Sequence, residues 1–428
     1  MKVYPKYKDS GVEFLGEIPD HWVVKRLKYI GESISGITYH PKDITDNSGI
    51  LVLRASNIKE GKLCLQDCVK IDKKVPDKLR VRVGDILICS RSGSKSLIGK
   101  NIVIDESLQG STFGAFMTVF RTEISLFVSK FFNSQVFNGQ SGLFLTSTIN
   151  QLTIGTLNNC YIALPPKMER MNIGLFLDHK TTLIDTLIEK KKRRIDLLNE
   201  ERSAVINQAV TKGLDPDVKF KDSEIEWLGH IPAHWEIKKF KYFFTLITEK
   251  NKGSSDKKIA LENIEPHTGR FIESDTKFEG EGIAFNDEDI LFGKLRPYLA
   301  KVLAPGFKGS AVGDIYVFRP TAVVDSAFSL YRMLAKSFIN VVNGATYGSR
   351  MPRASWDFIG NILIAFPSLN EQKKIVKYIR AEITRIDTII TKTQKQIQLL
   401  KEYRTALISE VVTGKMEIGR IIKKGTFS

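Results

Sequence analysis

Cysteine is scarce in this chain, long apolar runs are missing, and acidic residues are outnumbered. The four cysteines among 428 residues, Cys64, Cys68, Cys89 and Cys160, are too few for a disulfide scaffold and suit a reducing compartment. Cys64 and Cys68 form a C-x3-C pair, but no second Cys or His pair follows at the spacing of a four-ligand zinc site. All four read as ordinary thiols. No apolar stretch approaches the roughly 18 to 20 residues that span a bilayer, and the opening MKVYPKYKDS lacks a signal-peptide core. The expectation is a cytoplasmic protein with no membrane contact. Asp plus Glu number 48 against 64 Lys plus Arg, a net charge of +16, so the expected partner is a polyanion. With 42% hydrophobic and 26% charged residues the chain is globular rather than disordered, and its length allows two or three domains.

Catalytic signatures are missing too. Gly93-Ser-Lys-Ser-Leu-Ile-Gly99-Lys100-Asn101 has five residues between its glycines and ends in Asn, whereas a Walker loop has four and ends in Lys-Ser or Lys-Thr. Leu164-Pro165-Pro166-Lys167 lacks the amide of a methyltransferase's Asn-Pro-Pro-Tyr. The nuclease triplet E-x-K occurs at 60, 189, 236 and 371, near chance for so basic a chain. His21 and His234 each precede a Trp and read as packing residues. The expectation is a chain that performs no chemistry itself.

What the chain does contain is an internal repeat. KDSGVEFLGEIPDHWVVKRLKY at 8–29 returns as KDSEIEWLGHIPAHWEIKKFKY at 221–242, with 13 of 22 positions identical. Asn57-Ile58 returns as Asn263-Ile264, Asp85-Ile86-Leu87 as Asp289-Ile290-Leu291, and Val119-Phe120-Arg121 as Val317-Phe318-Arg319. ALPP at 163–166 and AFPS at 365–368 close the copies, which then run at a fixed offset of 202 to Thr211 and Thr413. The chain is thus two homologous halves, each a variable globular part followed by a regular tail.

In the tails, apolar residues step by three and four: Leu177, Ile184, Leu187, Ile188, Ile195, Leu198 and Val205, then Ile379, Ile386, Ile389, Ile390, Ile397, Leu400 and Leu407. This spacing predicts two long amphipathic helices ending near Gly213 and Gly414. Neither helix can bury its own stripe, so the two are expected to pair as a coiled coil, some 40 residues giving a rod of roughly 60 Å. The run Lys190–Arg194 points all round such a helix and reads as solvated as readily as phosphate-binding. The globular parts alternate short apolar runs such as DILICS, MTVFR, DILFG and IYVFR with Gly, Asp, Ser and Asn clusters, so the fold class is α+β. Segments 129–139 and 326–344 read as short helices with their aromatic residues in the core.

The candidate functional residues lie in basic, polar loops that recur in both halves. Arg91, Ser92, Lys95 and Lys100 follow the first D-I-L strand, and Lys294 and Arg296 follow the second. Just before the closing proline segments come Thr148 and Asn150 in one half and Arg350 and Arg353 in the other. Arginine reads guanine bidentately, whereas Ser and Lys favour phosphates. Equivalent loops with different chemistry are what readers of two different DNA sequences would carry.

Two variable domains alternating with two matched helices, opened by K-D-S-G-x-E-x-L-G-x-I-P-x-H-W and containing G-D-I-L, K-L-R-P-Y-L and Asn-Glu-Gln-Lys-Lys-Ile at 370–375, closely resemble the specificity (S) subunit of type I restriction-modification enzymes over essentially the whole chain. The resemblance implies target recognition domains at 1–165 and 214–366, spacer helices at 166–213 and 367–414 paired antiparallel with pseudo-two-fold symmetry, and a tail at 415–428. It also implies that the chain binds an asymmetric bipartite site in double-stranded DNA. Two methyltransferase (M) subunits then methylate adenine at N6, and two restriction (R) subunits join them for cleavage. Catalysis, S-adenosylmethionine, ATP and Mg belong to those partners, with no cofactor or metal in this chain. The alternatives are a specificity subunit of a methylation-only or other phage-defence system and, less favoured, a self-sufficient DNA-binding nuclease. Three departures bear on individual DNA contacts: Asn286-Asp-Glu-Asp stands before the second D-I-L, Arg-Ser-Gly replaces K-L-R-P in the first half, and Lys-Met-Glu-Arg-Met begins the first helix.

Overall fold

A computed structural model describes residues 3–46, 48–59, 61–94, 97–142, 151–251, 257–274, 281–348 and 350–418. The chain divides into two compact units, residues 1–191 with 395–428, and residues 192–394. Each has the expected α+β character and takes part of both long helices.

In the first unit, strands β1 (Glu32–Ser35), β2 (Ile86–Cys89), β3 (Asn101–Val103) and β4 (Met117–Arg121) form an antiparallel sheet in the order β3-β2-β4-β1. In the second, β5 (Phe244–Ile247), β6 (Ile290–Gly293), β7 (Val302–Leu303) and β8 (Ile315–Pro320) repeat it as β7-β6-β8-β5. The D-I-L strands read as continuous apolar runs because both their faces are covered. Ile290 and Phe292 point into one core cluster and Leu291 into another.

The repeated landmarks are structural anchors. Asp85 and Asp289 sit at the starts of the central strands with their side chains 2% and 1% exposed, and each receives two hydrogen bonds from the arginine of the V-F-R strand, Arg121 or Arg319. Asn57 accepts from the Arg54 amide and donates to the carbonyls of Cys64 and Asp67, stapling a turn; Asn263 does the same with Ala260 and Ile272.

The halves diverge in a second, smaller sheet. Both keep a parallel pair there, Ile50–Leu53 with Thr112–Phe113 and Lys258–Ile259 with Gly309–Ala311. The first unit then adds Val69–Ile71 beside the earlier strand, whereas the second adds Gly282–Phe285 beside the later one.

The short helical segments are helix pairs, Ser125–Phe132 with Gln135–Gly142 and Ser326–Leu334 with Lys336–Gly344. Phe131, Phe132, Phe137, Phe328 and Phe338 are buried as expected.

The long helices are α1 (Lys167–Lys212) and α2 (Leu369–Val412). They run antiparallel within each unit, since partners rise in number along one helix as they fall along the other. Asp185 receives Arg404 Nε at 2.9 Å and Lys191 donates to Gln396 at 2.7 Å in the first unit, while in the second Glu201 pairs with Arg385 and a Cβ at Gly213, just past the end of α1, would lie 3.3 Å from Glu371 Oε1 near the start of α2. Of the residues expected at the helix pairing, Leu177, Ile184, Ile188, Leu198, Ile379, Ile386, Ile397 and Leu407 are buried, whereas Ile195, Val205, Ile390 and Leu400 are half-buried and Leu187 is exposed. Ile379 departs from a simple seam by joining the globular core of the second unit, together with Ile206, Ala209 and Val210 of α1. The last turn of each helix therefore packs on a globular part. Gly414, at φ +72, allows this closeness: a Cβ there would lie 2.3 Å from Pro19 Cδ.

The helix starts explain the H-W motif. Trp22 is fully buried and donates from Nε1 to Glu169 at 3.2 Å; Trp235 does the same to Glu371 at 3.1 Å. At roughly 200 Å² buried per indole and 25 cal/mol per Å², each Trp contributes on the order of 5 kcal/mol. The histidines are not packing residues: both side chains are about half exposed, and each ring bonds the same glutamate as its neighbouring Trp. Glu169 also explains the departure at the start of the first helix, because the glutamate of that motif is retained and only its neighbours change.

Candidate nucleic-acid interface

The two predicted loops of each unit meet at the end of the D-I-L strand. In the first unit Ser90 follows β2, its carbonyl accepts the Leu152 amide at 2.8 Å, and Arg91 forms an antiparallel bridge with Gln151. In the second, Lys294 follows β6, its carbonyl accepts the Ala354 amide at 2.9 Å, and Leu295 bridges Arg353. A third segment completes both clamps: the Ser90 amide donates to Phe116 O at 3.0 Å, and the Lys294 amide to Asp314 O at 2.9 Å. The backbone scaffold is thus the same in the two units, and the side chains on it differ.

On the first scaffold Arg91 is exposed, donates to Gln151 Oε1 at 2.6 Å and lies 5.6 Å from the ring centre of Phe116, itself 57% exposed. Ser92 accepts the Ser94 amide in a tight turn. Lys100 is half-buried and lines a separate cleft with Lys59, Lys62 and Glu189. Lys95, Thr148 and Asn150 lie outside the described residues.

On the second scaffold Asp314 is the hub. It receives Arg353 Nη2 at 3.0 Å and Nε at 3.3 Å and lies 3.7 Å from Lys294 Nζ, which also sits over the Tyr316 ring. The bond to Asp314 raises the Arg353 pKa further, so the guanidinium is firmly charged and already engaged. Burial above all raises the Tyr316 phenol pKa, against the lowering effect of the Trp356 backbone N–H, and its hydroxyl donates to the Ala354 carbonyl at 3.2 Å.

Arg296 and Arg350 differ from Arg353. Both are exposed, and among the described residues no side-chain hydrogen bond or ion pair holds either. Arg296 has φ +50, left-handed backbone that costs a non-glycine residue on the order of 1 kcal/mol. Its amide is fixed to Pro352 O at 2.7 Å, which ties the Lys294–Arg296 loop to the Arg350–Arg353 loop. Tyr298, Tyr347 and Met351 are exposed on the same loops. Phe116, Asp314 and Tyr347 were not among the sequence candidates, although Phe116 and Asp314 share the offset of 198 set by the V-F-R strands.

Among the described residues no three His, Cys, Asp or Glu side chains gather to hold a metal, and no helix is long and apolar enough to cross a membrane.

The comparisons agree with this duplicated scaffold. The Type I restriction modification DNA specificity domain matches residues 19–197 and again residues 232–399. The type I restriction enzyme MjaIX specificity subunit of Methanocaldococcus jannaschii is 24% identical over 450 residues, covering 94% of this chain and 95% of that one. The EcoKI specificity subunit of Escherichia coli strain K12 is 28% identical over 250 residues, covering 56% of this chain and 52% of its own. The crystal structure of the HsdS subunit from Thermoanaerobacter tengcongensis shares the fold at a TM-score of 0.52 with 15% identity, covering 93% of this chain and 98% of that one. With both halves matched in tandem and each carrying the same clamp of loops, the chain belongs to the family of type I restriction-modification specificity subunits.

Proposed function

We propose that this chain is the DNA-reading subunit of a type I restriction-modification complex in the cytoplasm, binding a bipartite site in double-stranded DNA with one globular unit on each half. The observation that carries this reading is the repeated backbone clamp with divergent side chains: Arg91 with Phe116 and Gln151 in one unit, and in the other the exposed Arg296 and Arg350 on loops where Asp314 holds Arg353 and Lys294. Free guanidinium groups reach base edges, and a fixed backbone gives them the register that specificity needs. Arg353 and Lys294 act as braces through Asp314, while Ser92, Lys95, Lys100, Thr148 and Asn150 contribute phosphate or base contacts. The antiparallel helices α1 and α2 set the spacer between half-sites. Two M subunits bind S-adenosylmethionine and methylate adenine at N6, and two R subunits use ATP and Mg to cleave.

The net charge of +16 supports the electrostatic part of binding. The purified chain is expected to bind a duplex holding its site with affinity that falls steeply between low and moderate salt, and to neither cut nor methylate that duplex alone. Binding that ignores both salt and sequence would overturn the reading.

A further inference from the structure

Arg332, on the helix Ser326–Leu334 of the second unit, is 1% exposed, with Nε and Nη1 buried and without hydrogen-bond partners. Its guanidinium carbon lies 5.2 Å from the centre of the Trp227 ring. A charge held out of water without a counter-ion is costly. Burial lowers its pKa to about 10, which leaves it charged at neutral pH.

The guanidinium lines a cavity of about 200 Å³ with Asn207, Lys212, Trp227, Trp235 and Ser337. Two more side-chain atoms there are buried and unpartnered, Asn207 Oδ1 and Ser337 Oγ. Lys212 Nζ donates to the His230 carbonyl, and among the described residues no carboxylate lines the cavity. The unpaired groups come from three helices, α1, Ser326–Leu334 and Lys336–Gly344. One offers donors and a charge, one a hydroxyl of either role, one an acceptor.

The fold does not itself require the arginine. In the first unit a cavity at the matching place is lined by Phe14, Ser409 and Thr413, at the repeat positions of Trp227, Asn207 and Thr211, together with Glu410 and Lys415, and among the described residues no arginine lines it. There Ser409 Oγ accepts the Gln135 amide at 2.9 Å. The second unit instead keeps a buried positive charge and two open polar atoms around a smaller space, about 200 Å³ against about 370 Å³.

We propose that this cavity is a binding site for a small oxyanion that retains a proton, of hydrogen-phosphate type. The anion's oxygens accept from Arg332 and Ser337, and its hydroxyl donates to Asn207 Oδ1, so each unpaired group gains a partner. The assignment is independent of DNA recognition, because none of these residues belongs to the loop clamp.

The test is thermal unfolding of the full chain at fixed ionic strength, titrated with inorganic phosphate and separately with sulfate, which carries no proton at neutral pH. The unfolding temperature of the natural chain is expected to rise with phosphate along a saturating curve, and to rise less with sulfate. Arg332→Met is expected to abolish the difference between the ions and to be no less stable than the natural chain without phosphate. Identical curves for the two ions, or a phosphate response that survives in Arg332→Met, would overturn the assignment. Should the variant not fold, crystals of the natural chain soaked in arsenate, which matches phosphate in shape and protonation, give a second measure. An anomalous peak beside Arg332 is expected; arsenic found only elsewhere counts against the site.

Discussion

Removing Arg121 should destabilise the first unit more than removing Arg319 destabilises the second, although the two arginines make matching bonds. Asp85 receives Arg121 Nε at 2.9 Å and Nη2 at 2.8 Å, together with the Arg82 amide at 2.9 Å, and its carboxylate is 2% exposed. Arg121→Met strips away both charged donors and leaves a buried carboxylate with one backbone partner, a break that costs about 3 to 5 kcal/mol. It also frees the Arg80 carbonyl, which accepts from Arg121 at 3.0 Å, adding about 1 kcal/mol. At roughly 2 to 4 °C per kcal/mol for a unit of this size, the first unit should melt on the order of 10 °C lower. Arg319 makes the same pair with Asp289, but its side chain is 43% exposed against 19% for Arg121, so water screens that contact more and Arg319→Met should cost about 3 kcal/mol or less. The double variant Asp85→Leu/Arg121→Met should recover most of the loss, because the penalty comes from the stranded charge. Calorimetry and guanidinium unfolding of the full chain read these differences. A loss below about 1 kcal/mol for Arg121→Met, or a double variant no better than the single one, would refute the reasoning.

Burial raises the pKa of Cys89 and pushes that of Cys160 up to about 12, whereas Cys68 is exposed and Cys64 half-buried. A thiol reagent at pH 8 should therefore label Cys68 and Cys64 first, as mass spectrometry would record, and rapid labelling of all four would contradict the packing. Ala at Arg296 or Arg350 should relax specificity at one position of one half-site at a cost of about 1 to 3 kcal/mol; uniform weakening on every sequence would reassign that arginine to phosphate contact. Four residues inserted in both helices, after Arg194 and after Gln394, lengthen each by about 6 Å, so at about 3.4 Å per base pair the unspecified spacer should grow by one base pair, or at most two. Methylation mapping that found an unchanged spacer would remove the helices as the ruler.

Much of this architecture was legible because repetition and periodicity are one-dimensional signals. The offset of 202 through the tails marks two equivalent helices, and the steps of three and four from Leu177 and Ile379 mark their buried faces. What periodicity does not encode is which neighbour covers a face. Ile379 reads as a seam residue yet joins a globular core, and Val205 is half-buried while Ile206 beside it takes the buried position. The loop clamp was half legible: the residues after each D-I-L strand and before each proline segment were found from the repeat. The third segment, at Phe116 and Asp314, was not, because a phenylalanine and an aspartate at equivalent places give no common chemical signal. The commitment of Arg353 to Asp314 likewise depends on side-chain direction across 39 residues of chain, which sequence alone does not carry. His21 and His234, expected to pack, instead each bond the same glutamate as the neighbouring buried Trp, 148 residues away in one half and 137 in the other.

The central claim, that each globular unit reads its own half of a split DNA site, is tested most directly by exchanging one reader. Residues 223–360 are replaced with the corresponding segment of a related chain, the hybrid is expressed with its M subunits, and methylated adenines are mapped across the genome. The account predicts a methylated motif in which one half-site changes, the other keeps its bases, and the spacer length is retained. New bases in both halves would show that the units do not read independently, and an unchanged motif would show that the exchanged unit does not read DNA at all.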